Sequence, residues 1–150
     1  MNTKKEGINM SHRDPNCAYC MHGELLDKFG IYICDLKESR LYLFKEQSHP
    51  GRVIVAARDH TYDLTDLDDE ARNGFFEDVA RVSRALKKAF NPGRINYGAY
   101  NDKGGHLHFH LVPKYDGEFE WGDVFAMNPG RVTLSNEAYR NMIEKIKAAL

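Results

Sequence analysis

The sequence predicts an α+β fold: one antiparallel five-stranded sheet, a long helix after the third strand and a second helix near the C-terminal end. Three observations predict it. Five short segments are rich in β-branched and aromatic residues, the composition of strands, and two longer ones repeat their apolar residues every three or four positions, the spacing of helices. Short polar turns separate consecutive strand segments, and only antiparallel neighbours can be joined that way. The order is three strands, a helix, two strands and a helix, which is not the strict alternation of a parallel α/β sheet.

The leading residues 1–16, MNTKKEGINMSHRDPN, are polar and lack the apolar core of an export signal. They read as a flexible leader, with a single domain over 17–150. FGIYIC (29–34) and RLYLF (40–44) are strands joined by the hairpin-sized turn DLKES. GRVIVAA (51–57) follows the SHPG turn and is apolar enough to be central in the sheet. Thr65 is the expected N-cap of the long helix, with Asp66, Asp68, Asp69 and Glu70 in the first turn, where the helix dipole favours anions. Phe75, Val79, Val82, Leu86 and Phe90 form one apolar helix face, and NPG (91–93) ends it. INYGAYN (95–101) and HLHFHLVP (106–113) make a second hairpin around DKGG. A loop rich in Gly, Asp and aromatic residues covers 116–130, and Ser135 caps the final helix to Ala149.

A chain of 150 residues suits one domain with a sizeable core. A net charge of -1 and a pI of about 6.6 argue against coating a nucleic acid, although a single phosphate-bearing ligand needs only local donors. No apolar run approaches the length of a membrane span. Three cysteines without an export signal argue against a disulfide scaffold and for metal binding or simple burial. The expectation is a cytoplasmic protein with neither a nucleic-acid nor a membrane partner.

The chemistry concentrates in GGHLHFHLVPKY (104–115). His106, His108 and His110 alternate with Leu107, Phe109 and Leu111, so a strand places all three imidazoles on one face and the apolar residues on the other. A neutral imidazole is a good nucleophile toward phosphorus, and its neighbours can donate to phosphate oxygens or protonate a leaving group. Three imidazoles could equally hold a zinc ion with one position open for water. CAYC (17–20) is a second cluster: a zinc half-site, a redox pair or an accident. The helix-opening context of a redox pair is missing.

His106-Leu107-His108-Phe109-His110-Leu111-Val112 resembles the signature of the histidine triad (HIT) superfamily of nucleotide hydrolases and transferases. PGRVIVAARDH, the long helix and GAYN fall in the order of that family over about 17–115. The resemblance implies a HIT-like fold and a homodimer whose sheet continues across the interface. It implies hydrolysis of a nucleotide phosphoramidate or dinucleoside polyphosphate, with a purine nucleotide as the expected substrate. The middle histidine, His108, would carry the covalent nucleotidyl group, and His110 would hydrogen-bond the phosphate or leaving group. Asn101 matches an asparagine that contacts the phosphate in some members. Glu46 stands nearest the place of a ribose-binding acid. Arg52 replaces a histidine after the Pro-Gly, where it would pair with phosphate or face water. The Gly-Gln-Ser/Thr sequence that precedes the triad in many members, and helps protonate the leaving group, is replaced by DKGG. Related readings are a nucleotidyl transferase and a nucleotide-binding protein with little turnover. Some bacterial members bind a structural zinc through a cysteine pair, a histidine after the third strand and the first triad histidine. The matching set is Cys17, Cys20, His60 and His106.

Overall fold

Alternation along each strand sorts the side chains of one sheet onto two faces, and both faces are covered. The computed structural model describes residues 13–150. Most of the expected leader, His12 included, therefore lies outside the described residues. The strands are β1 (Gly30–Asp35), β2 (Ser39–Phe44), β3 (Val53–Ala57), β4 (Arg94–Gly98) and β5 (His108–Lys114). All neighbours pair antiparallel, in the order β1-β2-β3-β5-β4. β3 lies in the middle with every residue buried, as its unbroken apolar run requires.

The helices are α1 (Ala18–Met21), α2 (Gly23–Asp27), α3 (Asp69–Phe90) and α4 (Asn136–Ala149). Leu41, Leu43, Val53, Val55, Leu107 and Leu111 face α3 and α4 and pack with Phe75, Val79, Val82, Leu86 and Ile146. Each such side chain stabilises the fold by about 1.5–3 kcal/mol through burial. The opposite face carries Tyr42, Phe44, Ile54 and Ala56, packed against Tyr19, Cys17, Cys20 and Leu26 of the N-terminal segment. The triad histidines belong to this second face, where Tyr19 of α1 packs over His106 and His108, and His108 stays half-buried.

Four expected boundaries move, one of them the end of β4, which stops at Gly98 and not at 101. Thr65 does not cap the long helix: it sits in a separate 3-10 turn, Leu64–Asp66, closed by Asp63. Asp68 is the cap, its carboxylate accepting from Ala71 N–H at 2.8 Å. Extended backbone at Leu67 separates the two turns, and in a run of capping-type residues the one next to the apolar face wins. β3 starts two residues late because Gly51, at φ +91, turns the chain beside the Phe90 ring, where a Cβ would collide. β5 starts at His108 because Leu107 leaves the ladder, its N–H donating to Thr61 at 2.6 Å. α1 and α2 are too short to announce themselves in the sequence. Ser135 caps α4 as expected, accepting from Ala138 N–H at 3.1 Å.

Candidate functional site

The three triad histidines are held by three different hydrogen bonds, and each bond fixes a different chemical role. A carbonyl oxygen can only accept, so an imidazole nitrogen bonded to it carries the proton. His106 Nε2 donates to Ala57 O at 2.8 Å, which leaves Nδ1 as a lone pair. His108 Nδ1 donates to His106 O at 2.7 Å, which leaves Nε2 as the lone pair. An arginine can only donate. Arg52 Nη2, 3.1 Å from His110 Nδ1, therefore makes that nitrogen the acceptor and places the His110 proton on Nε2.

Around His106 Nδ1 the N-terminal segment and the loop after β3 converge. Cys17 Sγ lies 3.4 Å from it, Cys20 Sγ 3.5 Å and His60 Nδ1 3.2 Å, with Cys20 Sγ 3.3 Å from His60 Nδ1. All four ligand atoms fall within 4.8 Å of one another, and this group could hold a metal ion. A zinc tetrahedron with ordinary bond lengths has sulfur–nitrogen edges of about 3.6 Å and nitrogen–nitrogen edges of about 3.3 Å, so the donors fit. The electrostatics agree. Burial raises the Cys17 thiol to about 11, a cost that a cation would reverse. Burial also lowers His106 to about 4, which keeps it in the neutral form that binds metal.

His108 and His110 line a cavity of about 620 Å³ with mainly apolar walls, among them Tyr19, Phe29, Phe44 and Ile54. The Tyr19 ring lies 5.0 Å from that of His108 and 5.3 Å from that of His106, so one residue of α1 packs over both. A smaller cavity of about 370 Å³ opens on the other side of His108, beside Tyr100, Lys103, Phe125 and Met127. Burial lowers the His108 pKa, opposed by its bond to the His106 carbonyl.

Arg52 is fully buried and stands behind His110, outside the lining of either cavity. It donates to Ala126 O at 3.1 Å and Met127 O at 3.0 Å, and its guanidinium stacks 4.1 Å over Phe44 and 5.0 Å from Phe125. No carboxylate pairs with it among the described residues. Burial lowers its pKa to about 10, with Glu46, Glu120 and Tyr100 pulling it back up, so it stays charged. The expectations of a phosphate-facing or solvent-facing Arg52 give way to an arginine that acts on His110. Glu46 also turns away from the larger cavity. Its carboxylate accepts from the backbone of Ser48 and Arg131, each at 2.6 Å, and of Val132 at 3.3 Å. Asn101 is exposed and donates to Tyr62 O, outside the lining of both cavities.

Burial, then the Arg52 charge, then His108 hold the His110 imidazole at about 3, against an ordinary 6.5. Between those values the unfolded chain binds a proton that the folded chain does not, so this group makes stability rise with pH across that window. Denaturant midpoints compared at about pH 4.5 and about pH 7 are expected to differ less for His110→Asn than for the wild type.

Comparison with known proteins agrees with this fold. The HIT domain model matches residues 31–117. The Bacillus subtilis (strain 168) protein named Protein hit is 25% identical over 117 residues, 69% of this chain and 74% of its own. The fold is that of a histidine triad (HIT) protein from Sinorhizobium meliloti 1021, with TM-score 0.78 and 22% identity over 85% of this chain and 95% of that one. It is also that of a Zn-bound histidine triad family protein from Mycobacterium smegmatis, with TM-score 0.60 and 22% identity over 79% and 85% of the two chains. The family match spans more than half of the chain and contains the whole triad strand, and the chain belongs to the HIT domain family.

Proposed function

We propose that the protein is a nucleotide hydrolase that transfers a nucleoside monophosphate to His108 and then to water. The observation that carries this reading is the 2.7 Å bond from His108 Nδ1 to the His106 carbonyl, which leaves Nε2 unprotonated on a residue lining both cavities. An imidazole becomes cationic when Nε2 bonds to phosphorus, and a carbonyl on Nδ1–H stabilises that charge. His110 Nε2–H is the donor for a non-bridging phosphate oxygen. The apolar wall of the larger cavity suits a nucleobase, and a purine is the base in this reading.

Cys17, Cys20, His60 and His106 would hold a zinc ion in a structural role. With four protein ligands the ion has no open position, and it would tie the N-terminal segment to the triad strand. Asn101 and Glu46 shape the surroundings of the site in this reading and are not direct nucleotide ligands. A homodimer through the β4 edge is part of it: β4 pairs on one side only among the described residues and carries the half-exposed Tyr97. The free thiols suit a reducing compartment, and the cytoplasm is the proposed setting.

The test is intact-protein mass spectrometry after rapid mixing with an adenine nucleotide bearing a leaving group on its α-phosphate. The expected result is a transient adenylyl adduct that maps to the peptide containing His108 and decays as AMP appears. AMP release without an adduct at any time point, or an adduct on another residue, would sink the reading.

A further inference from the structure

Glu120 lies in the loop after β5 with its backbone at φ +57, a left-handed conformation that suits glycine or asparagine and strains a longer side chain. Its carboxylate is mostly buried beside His49, which is itself 2% exposed. The fold of the loop does not need that carboxylate. Buried Lys114 already grips the main chain there, through Glu120 O at 2.8 Å and through Asp123 O. A strained backbone and a buried carboxylate both cost stability, so the contribution of this residue lies in its side-chain contacts.

The two carboxylate oxygens serve different partners. Oε1 accepts from His49 Nε2 at 2.8 Å, and the His49 ring packs against Phe119 with centroids 5.2 Å apart. Oε2 accepts from Ala126 N–H at 2.8 Å. The oxygen of that same residue accepts from Arg52 Nη1 at 3.1 Å, and Met127 O accepts from Nη2 at 3.0 Å. Nη2 is also the group 3.1 Å from His110 Nδ1. Arg52 Nε has no hydrogen-bond partner among the described residues. The guanidinium is thus not aimed from its stem. Its direction depends on two neighbouring carbonyls, and Glu120 fixes the residue that carries the first. A line of contacts runs from His49 through Glu120, Ala126 and Arg52 to His110, and none of the first four lines either cavity.

Resting on the nucleotidyl-His108 reading, we infer that Glu120 is a positioning residue for His110: pinned by His49, its carboxylate sets the Ala126 main chain that aims Arg52 at His110 Nδ1, and so orients the Nε2–H that meets the phosphate. Glu120 touches no reacting atom. What it supplies is direction. A donor that tightens on the phosphate as charge grows there must be closely aligned, so a displacement at a distance is felt in kcat.

The experiment is a double-mutant cycle joined to a spectrum that needs no substrate. Glu120→Gly relieves the left-handed backbone and removes the carboxylate, and it is expected to lower kcat for AMP release by about 10–100-fold. In a His110→Asn background the same change is expected to cost less than about threefold, because the group being aimed is already gone. Glu120→Gln, whose amide oxygen still accepts from Ala126 N–H, is expected to stay within about threefold of the wild type. In nitrogen-15 spectra the Arg52 Nη protons are expected to exchange slowly in the wild type and in Glu120→Gln, and rapidly in Glu120→Gly. Equal losses in the two backgrounds would overturn the inference, since a residue that only folds the loop acts regardless of His110. So would unchanged Arg52 signals in Glu120→Gly, or a Glu120→Gln as impaired as Glu120→Gly. Each of these leaves the proposed function standing. A wild type that gives no adduct removes the proposed function, and the Arg52 signals then decide whether Glu120 holds Arg52. If Glu120→Gly does not fold, Glu120→Asn takes its place: it tolerates the same backbone and is one methylene short of Ala126.

Discussion

Replacing His108 with alanine is expected to lower turnover by at least ~10⁴-fold and to eliminate the covalent adduct. The size follows from the role: with the nucleophile gone, only the donors and the binding surface remain, and water must attack unaided. His110→Asn is the informative companion. It removes a donor to the phosphate and leaves the nucleophile, so a loss of about 10²–10³ with the adduct still detectable is expected. The His108→Gly variant, with imidazole added to the medium, should recover part of the rate, because the smaller side chain leaves room for a soluble nucleophile beside Tyr19. Steady-state release of nucleoside monophosphate measures all three. Equal losses at both histidines with no rescue would point to a shared structural defect.

If the proposed zinc is bound, stripping it, or changing Cys17 and Cys20 to serine together, is expected to give the largest effect on stability. The four ligand atoms are drawn from three segments far apart in sequence, and the cysteines sit in a buried cluster with Tyr19, Leu26 and Tyr42. Without the ion, two buried thiols and two imidazoles would be left facing one another, and the N-terminal segment would be held to the sheet by its apolar contacts alone. A loss of roughly 4 kcal/mol corresponds to a fall in Tm of about 10 °C for a domain of this size. Zinc content by atomic spectroscopy and melting before and after a chelator test it together. Melting unchanged by the chelator, in protein shown to have lost its zinc, would mean that the cluster does not hold the segment down.

Much of this site is legible in the sequence because it is carried by side chains of distinctive type. Alternating histidines can share a face only in extended backbone, and the structure places His108 and His110 on the face opposite Leu111. The apolar positions of α3 are likewise readable from their spacing. The role of Arg52 was not legible. Its type suggested phosphate or water, but its partners are a ring nitrogen and two main-chain oxygens, and main-chain oxygens leave no trace in a sequence. Glu46 was misplaced for the same reason, since it caps backbone amides of a segment 85 residues away. The start of α3 was ambiguous because Asp63, Thr65 and Asp68 are all good caps, and only the backbone at Leu67 chooses among them.

The segment over the smaller cavity is gripped in an unusual way. Arg52 holds it by the oxygens of Ala126 and Met127, and the buried Lys114 holds it by those of Glu120 and Asp123. Every residue type supplies such an oxygen. The side chain of the exposed Val124 is therefore decoupled from the anchoring of the loop, whereas Met127 adds its sulfur, 3.7 Å from Arg52 Nη2. Met127 lines both cavities, so replacing it would reshape the walls on either side of His108 while the main-chain anchors stay in place, which makes it the natural position at which to retune what the protein accepts.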